Sequence, residues 1–145
     1  MILDTTYLLP LSRIEVDTDL LRAISERRIT QELTFENIAL SSISIFELQA
    51  KAAKLGVDPE HVSKAVSSIE ENFRVEPFHS PDVIKTSFEI KKTLSDYIDC
   101  IIVATAASLK ETLLSEDSMI IGKRKVLREK FGVNISTYDE MIRSG

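Results

Sequence analysis

The sequence predicts an α/β fold in which a parallel sheet of about five short strands is covered by helices on both faces. Three observations carry this. Short apolar runs alternate with helix-length amphipathic segments along the chain, the signature of strands joined by crossover helices. Twice a helix start is written as a cap residue followed by proline, Asp58-Pro59 and Ser80-Pro81, where the N–H that proline lacks would have had no partner. Residues 95–109, SDYIDCIIVATAASL, are almost continuously apolar from Ile98 and rich in alanine, as expected of a helix buried on most faces.

In chain order, residues 1–5 (MILDT) read as a short strand ending at Asp4, and Leu8–Leu11 as a short helix or turn. Asp17-Thr18 is expected to cap a helix over Asp19–Arg27, with Leu20, Leu21 and Ile24 on one face. Residues 28–37 carry no assignable pattern. Ile38–Ser42 is a second strand. Ser42 begins a helix that runs to Leu55 and stops at Gly56. The Asp58-Pro59 start leads a helix with Val62, Ala65, Val66 and Ile69 on one face. Phe73–Phe78 alternates apolar and polar as a third strand, and the Ser80-Pro81 start leads a helix to about Thr93. Next come the buried helix and a fourth strand, Thr112–Ser115, ending before Asp117. Residues 119–131 form a helix closed by Gly132, Val133–Tyr138 is a fifth strand, and Tyr138–Arg143 adds a last turn.

The 145 residues fit a single domain, 1–145. Apolar content of 43% with 28% charged residues suits a folded core rather than a disordered chain. The start MILDTT lacks a basic region ahead of an apolar stretch, so no signal peptide is expected. No apolar run approaches the ~20 residues that span a bilayer. One cysteine cannot form an internal disulfide, in keeping with a reducing cytoplasm. The net charge of −5 argues against broad nonspecific nucleic-acid binding. It leaves room for a local basic patch, or for an acidic site where a cation reverses the sign. With four glycines and neither GxGxxG nor GxxxxGK[ST], no glycine-rich phosphate cradle is available.

The acids carry the chemistry. Ligands of an open α/β sheet bind beyond the carboxyl ends of its strands. Asp4 ends the first strand, Asp117 follows the fourth, Glu47 lies in the helix after the second, and Asp99 is in the first turn of the buried helix. If the first and fourth strands are neighbours, all four converge on one edge. Two such charges ~4 Å apart repel by roughly 4 kcal/mol at an effective dielectric near 20, so either their pKa values rise or cations bind. With no His or Cys among them, the donor set suits Mg²⁺ or Mn²⁺ rather than Zn²⁺, and a carboxylate-held Mg²⁺ is apparatus for phosphoryl transfer. Each acid also has a structural reading. Asp4, Asp96 and Asp117 are placed to cap helices, and Ser44 with Glu47 matches a capping box. Asp99 is the hardest to explain as scaffold, because a solid apolar block follows it.

At these residues the chain resembles the PIN-domain (PilT N-terminus) nucleases, which include toxins of Vap-type toxin–antitoxin pairs. Ile2-Leu3-Asp4-Thr5 looks like the family's opening strand. Ser42 through Glu47-Leu48 looks like its Ser-x-x-x-x-Glu-Leu segment. Asp99–Ala106 (DCIIVATA) looks like its Asp, apolar, Ala-Thr-Ala run, and Leu113–Asp117 like its Leu-x-Thr/Ser-x-Asp strand end. The resemblance implies a three-layer α/β/α sandwich with strand order 3-2-1-4-5. It implies a ribonuclease in which Asp4, Glu47, Asp99 and Asp117 hold Mg²⁺ or Mn²⁺ and water cleaves the RNA phosphodiester to a 5′-phosphate and a 3′-hydroxyl. Thr5, Thr6 and Ser115 would orient carboxylates or water, with Asp96 a cap at the rim. RNA, an antitoxin protein and a second copy of the chain are the implied partners. A PIN scaffold that binds RNA or protein without cutting is the alternative. Many members carry a further acid just beyond the last Asp, where this chain has Met119 and Ile120, and residues 12–37 are longer than in compact toxins. A haloacid-dehalogenase phosphatase also opens with strand and Asp, but it needs a second Asp where Thr6 stands.

Lys123, Arg124, Lys125, Arg128 and Lys130 cluster near a helix end. Lys123, Arg124 and Arg128 are candidate RNA-backbone contacts, although a solvated helix face facing the C-terminal dipole accounts for them too. His61, His79 and Cys100 receive no role.

Overall fold

The computed structural model describes residues 1–30 and 33–142. In chain order these form β1 (Ile2–Leu3), a 3₁₀ helix (Thr5–Ser12), α1 (Leu20–Ser25), a 3₁₀ turn (Phe35–Asn37), β2 (Ala39–Ser41), α2 (Ser42–Lys54), α3 (Pro59–Asn72), β3 (Arg74–Glu76), α4 (Pro81–Ile90), α5 (Tyr97–Leu109), β4 (Leu113–Leu114), α6 (Ser118–Gly122), α7 (Arg124–Phe131), β5 (Ile135–Ser136) and α8 (Tyr138–Met141). The strands pair in parallel in the order β3-β2-β1-β4-β5, as expected. β1 therefore lies between β2 and β4, with Ile2 opposite both Ala39 and Leu113.

Side chains alternate across the sheet. Leu3, Leu40 and Leu114 enter one core with Tyr7, Leu48 and Ile69. Ile2, Ala39, Leu113 and Ile135 enter the other, against α5. Because both faces are covered, β1, β2 and β4 read as buried runs, while the edge strand β3 keeps its polar alternation. α5 is mounted in the second core through Cys100, Ile102, Val103, Ala104 and Ala106, all fully buried. Truncating a side chain such as Ile102 to alanine costs about 2–5 kcal/mol. Asp96 caps α5 as expected, its carboxylate accepting from the Ile98 N–H at 2.8 Å.

Several local expectations are corrected. α1 is capped by Asp19, which accepts from the Arg22 N–H at 3.1 Å, and not by Asp17-Thr18. The stretch without an assignable pattern contains Ile29, which bridges antiparallel to Ile142, and a turn in which the Asn37 side chain accepts from the Thr34 N–H. The expected helix 119–131 is two helices meeting at Lys123, whose backbone (φ −107, ψ 11) leaves the helical range. Gly132 closes the second at φ 69, a left-handed position where glycine carries no Cβ penalty. The capping box at Ser44 and Glu47 is absent. Ser41 caps α2, while Ser44 is buried inside the helix with no hydrogen-bond partner for its hydroxyl among the described residues. The last turn ends at Met141, and its expected end, Arg143, lies outside the described residues.

Candidate metal centre

The central position of β1 decides where the acids meet. Parallel strands point their carboxyl ends the same way, so Asp4 after β1 and Asp117 after β4 emerge side by side. α2 leaves the end of β2 and carries Glu47 back over the same edge. Asp99 joins them from the first turn of α5. A cleft of about 730 Å³ is lined by Asp4, Glu47, Asp99 and Asp117, with Thr5 and Thr6 beside them.

Each carboxylate is held differently. Asp4 is 7% exposed. Its Oδ1 accepts from the Thr5 N–H at 2.7 Å, capping the 3₁₀ helix, and its Oδ2 accepts from the Ser115 hydroxyl at 2.7 Å. Asp117 caps α6, its Oδ1 accepting from the N–H groups of Met119 (2.9 Å) and Ile120 (3.1 Å). Glu47 accepts from the Thr5 hydroxyl at 2.6 Å. No hydrogen bond or ion pair engages the Asp99 carboxylate among the described residues. The structural and chemical readings of Asp4 and Asp117 are thus both available, since a cap uses only part of a carboxylate's accepting capacity.

The electrostatics register the convergence. Burial pushes Asp99 up to about 7, and the charges of Asp117, Asp96, Asp4 and Glu47 add to the rise. Burial raises Asp4 as well, against the lowering by Ser115 and Thr5, with Asp117 and Asp96 adding to the rise. Glu47 is raised by burial, lowered by the Thr5 hydroxyl, raised by Asp4 and Asp96 and lowered by Lys51. Like charges on four elements therefore sense one another across a single cleft.

No group of three or more His, Cys, Asp or Glu among the described residues forms a ready-made ligand cage. The donor set nevertheless fits a hard dication. It is all oxygen, it carries uncompensated negative charge, and Mg²⁺ keeps several waters and is held through one or two carboxylates plus substrate phosphates rather than by a complete protein cage.

Of the supporting residues, Thr5 and Ser115 make the bonds described, and Thr6 lines the cleft. Asp96 is not among the residues lining the cleft; it caps α5, and its charge is felt by Asp4, Glu47 and Asp99. Arg124 and Arg128 line a different, small cavity beside β5, and Arg124 pairs with Glu140 at 2.7 Å. Sequence reasoning missed Glu116, Lys51 and Lys54, all of which line the acidic cleft. The lysines stand four and seven residues after Glu47, a helical spacing that could have revealed them. Glu116 accepts from the Tyr7 hydroxyl and from the Tyr138 N–H, partners too distant in sequence to leave a local signal.

A family model described as PIN domain matches residues 1–126. No curated protein sequence matches. Among solved structures, VapBC2 from Rickettsia felis bound to a DNA fragment from its promoter superposes with a TM-score of 0.64 at 17% identity, over 94% of this chain and 96% of that one. FitAcB from Neisseria gonorrhoeae gives 0.63 at 21% identity, over 94% and 96%. VapBC-1 from nontypeable Haemophilus influenzae gives 0.64 at 18% identity, over 95% and 97%. At these identities the likeness is one of fold.

Proposed function

Because the chain belongs to the PIN domain family, we propose that it is a divalent-metal-dependent ribonuclease that hydrolyses RNA phosphodiester bonds in the acidic cleft. The observation that carries this reading is the meeting of Asp4, Glu47, Asp99 and Asp117, from four separate elements, in one cleft where burial and neighbouring charge raise the carboxyls of Asp4, Glu47 and Asp99.

Asp4, Asp99 and Asp117, with Glu47, would hold Mg²⁺ or Mn²⁺. When bound, the ion supplies a Lewis acid for phosphoryl oxygens and lowers the pKa of a coordinated water. The chain's own contribution is orientation. The Ser115 hydroxyl and the Thr5 N–H fix both oxygens of Asp4, and the Thr5 hydroxyl fixes Glu47. Groups that hold carboxylates in this way typically matter 10–100-fold for metal affinity or activity. Asp99 gives up no hydrogen bond when it turns toward a ligand. Its apolar helix fixes where the residue starts from.

The fold neighbours include toxin–antitoxin complexes, which supports a toxin role with an antitoxin protein as partner. A homodimer and a cytoplasmic location complete the proposal. No helix among the described residues is long and apolar enough to cross a membrane.

The test is degradation of RNA by the purified protein with Mg²⁺ or Mn²⁺, compared with EDTA and with Asp99→Asn. Metal-dependent cutting that Asp99→Asn loses while staying folded is expected. A wild-type chain that neither binds the ions by calorimetry nor cuts any RNA overturns the reading.

A further inference from the structure

The side of the acidic cleft formed by α2 carries chemistry that the four acids do not use. Phe46, Lys51 and Lys54 line the cleft beside Glu47. At 3.6 residues per turn, positions 46, 47, 50, 51 and 54 share one face of a helix. The Phe46 ring is 60% exposed, a large apolar surface left in water at the lip of a polar site. Lys51 and Lys54 are exposed, and neither is engaged in an ion pair or side-chain hydrogen bond among the described residues. The charge of Lys51 is felt by Glu47.

The adjoining cleft is unlike it. A second cleft of about 1090 Å³ meets the first at Thr6 and Glu116. It is lined by more carboxylates than cations, and two of its arginines, Arg22 and Arg28, are already bound to Glu26 at 2.8 and 2.7 Å. A polyanion approaching the acids is repelled there and attracted along α2.

We propose that the α2 face formed by Phe46, Lys51 and Lys54 holds the RNA strand beside the acids, the two ammonium groups on backbone phosphates and the Phe46 ring stacked on an unpaired base. The identity of the strand rests on the nuclease reading above. Lys51 and Lys54 also lie in the last turn of α2, where cations complement the helix dipole; that role affects folding stability and leaves RNA binding untouched.

The test is fluorescence anisotropy of a short, labelled, single-stranded RNA of mixed sequence in Mg²⁺ buffer, every protein carrying Asp99→Asn so that the RNA stays whole. Lys51→Ala with Lys54→Ala is expected to lower the slope of log affinity against log salt by about 1.4, since each phosphate no longer neutralised removes about 0.7. Phe46→Ala is expected to weaken binding about tenfold, and Phe46→Tyr to retain it. All three side chains are exposed, so thermal melting should show folded variants. Unchanged affinity and salt slope in these variants overturn the proposal and leave the face to a protein partner; a parent protein that binds no RNA overturns it as well. A wild-type chain that cuts RNA while the variants bind normally refutes this assignment alone. Weakened variants of a chain that never cuts refute the nuclease reading alone.

Discussion

The Ser115 hydroxyl donates a 2.7 Å hydrogen bond to Asp4 Oδ2, tying the residue after β4 to the residue after β1. The Ser115 Oγ in turn accepts from the Asp117 N–H at 3.1 Å, so one buried serine sets the relation between two acids of the cleft. Ser115→Ala removes a donor from a carboxylate that is already raised by burial. It should weaken Mn²⁺ binding by about 10–100-fold in calorimetry and destabilise the fold by about 1–3 kcal/mol. Wild-type Mn²⁺ affinity in this variant would show that Asp4 needs no such support.

Asp99→Asn should stabilise the metal-free protein while removing its activity. A carboxyl whose folded pKa lies above its unfolded value keeps its proton longer in the fold, so stability falls as pH rises from about 4 to about 7, where Asp99 titrates in the fold. The variant escapes that loss. Its advantage in chemical denaturation should be absent near pH 4, grow to pH 7 and level off above. Asp99 is half-buried, so solvent screening reduces the gain to about 1–2 kcal/mol. An advantage independent of pH would show that burial and the neighbouring carboxylates do not raise the Asp99 carboxyl.

Divalent ions should relieve the same crowded carboxylates that protonation relieves. Binding to the folded chain alone stabilises it by about 2.7 kcal/mol at a hundred times the dissociation constant. Mg²⁺ or Mn²⁺ should therefore raise the melting temperature and EDTA should reverse the rise. The shift should be larger at pH 8 than at pH 6, because ions and protons compete for the same carboxylates. Asp99→Asn should lose most of it.

Tyr7→Phe tests the support beneath the cleft. The fully buried Tyr7 donates its hydroxyl to Glu116, and burial with that partner pushes the phenol well above its ordinary range. Removing the hydroxyl leaves Glu116 with the Tyr138 N–H at 2.8 Å. A loss of about 1–3 kcal/mol in urea unfolding is expected, with Mn²⁺ affinity little changed. A collapse of metal binding instead would place Glu116 among the ion's ligands.

What the sequence disclosed, and what it hid, follows from the range of the forces involved. Strands buried on both faces must be apolar, and Pro59 and Pro81 mark helix starts, so the order of elements was legible. The acids stood out as a set, Asp4 and Asp117 following strands and Asp99 opening an apolar helix, although Asp4 and Asp117 also serve as N-caps. The break at Lys123 was hidden because the surrounding residues keep a helical composition. Ser44 mimics a cap because nothing local reveals that Ser41, which ends β2, already fills that place. Ile29 with Ile142, and Tyr7 with Glu116, are pairings between remote segments that no local pattern records. Lys51 and Lys54 were visible as helical neighbours of Glu47, yet their lining of the cleft emerges only once β1 and β4 lie side by side.

The most direct measurement is an anomalous-difference map from crystals of the protein soaked in Mn²⁺. At least one strong peak is expected in the cleft, with carboxylate oxygens of Asp4, Asp99 and Asp117 within about 2.1 Å or one water away, and Glu47 in the same set. A cleft without a peak at saturating Mn²⁺, or an ion bound away from these four side chains, would contradict a metal-dependent nuclease centre at this site.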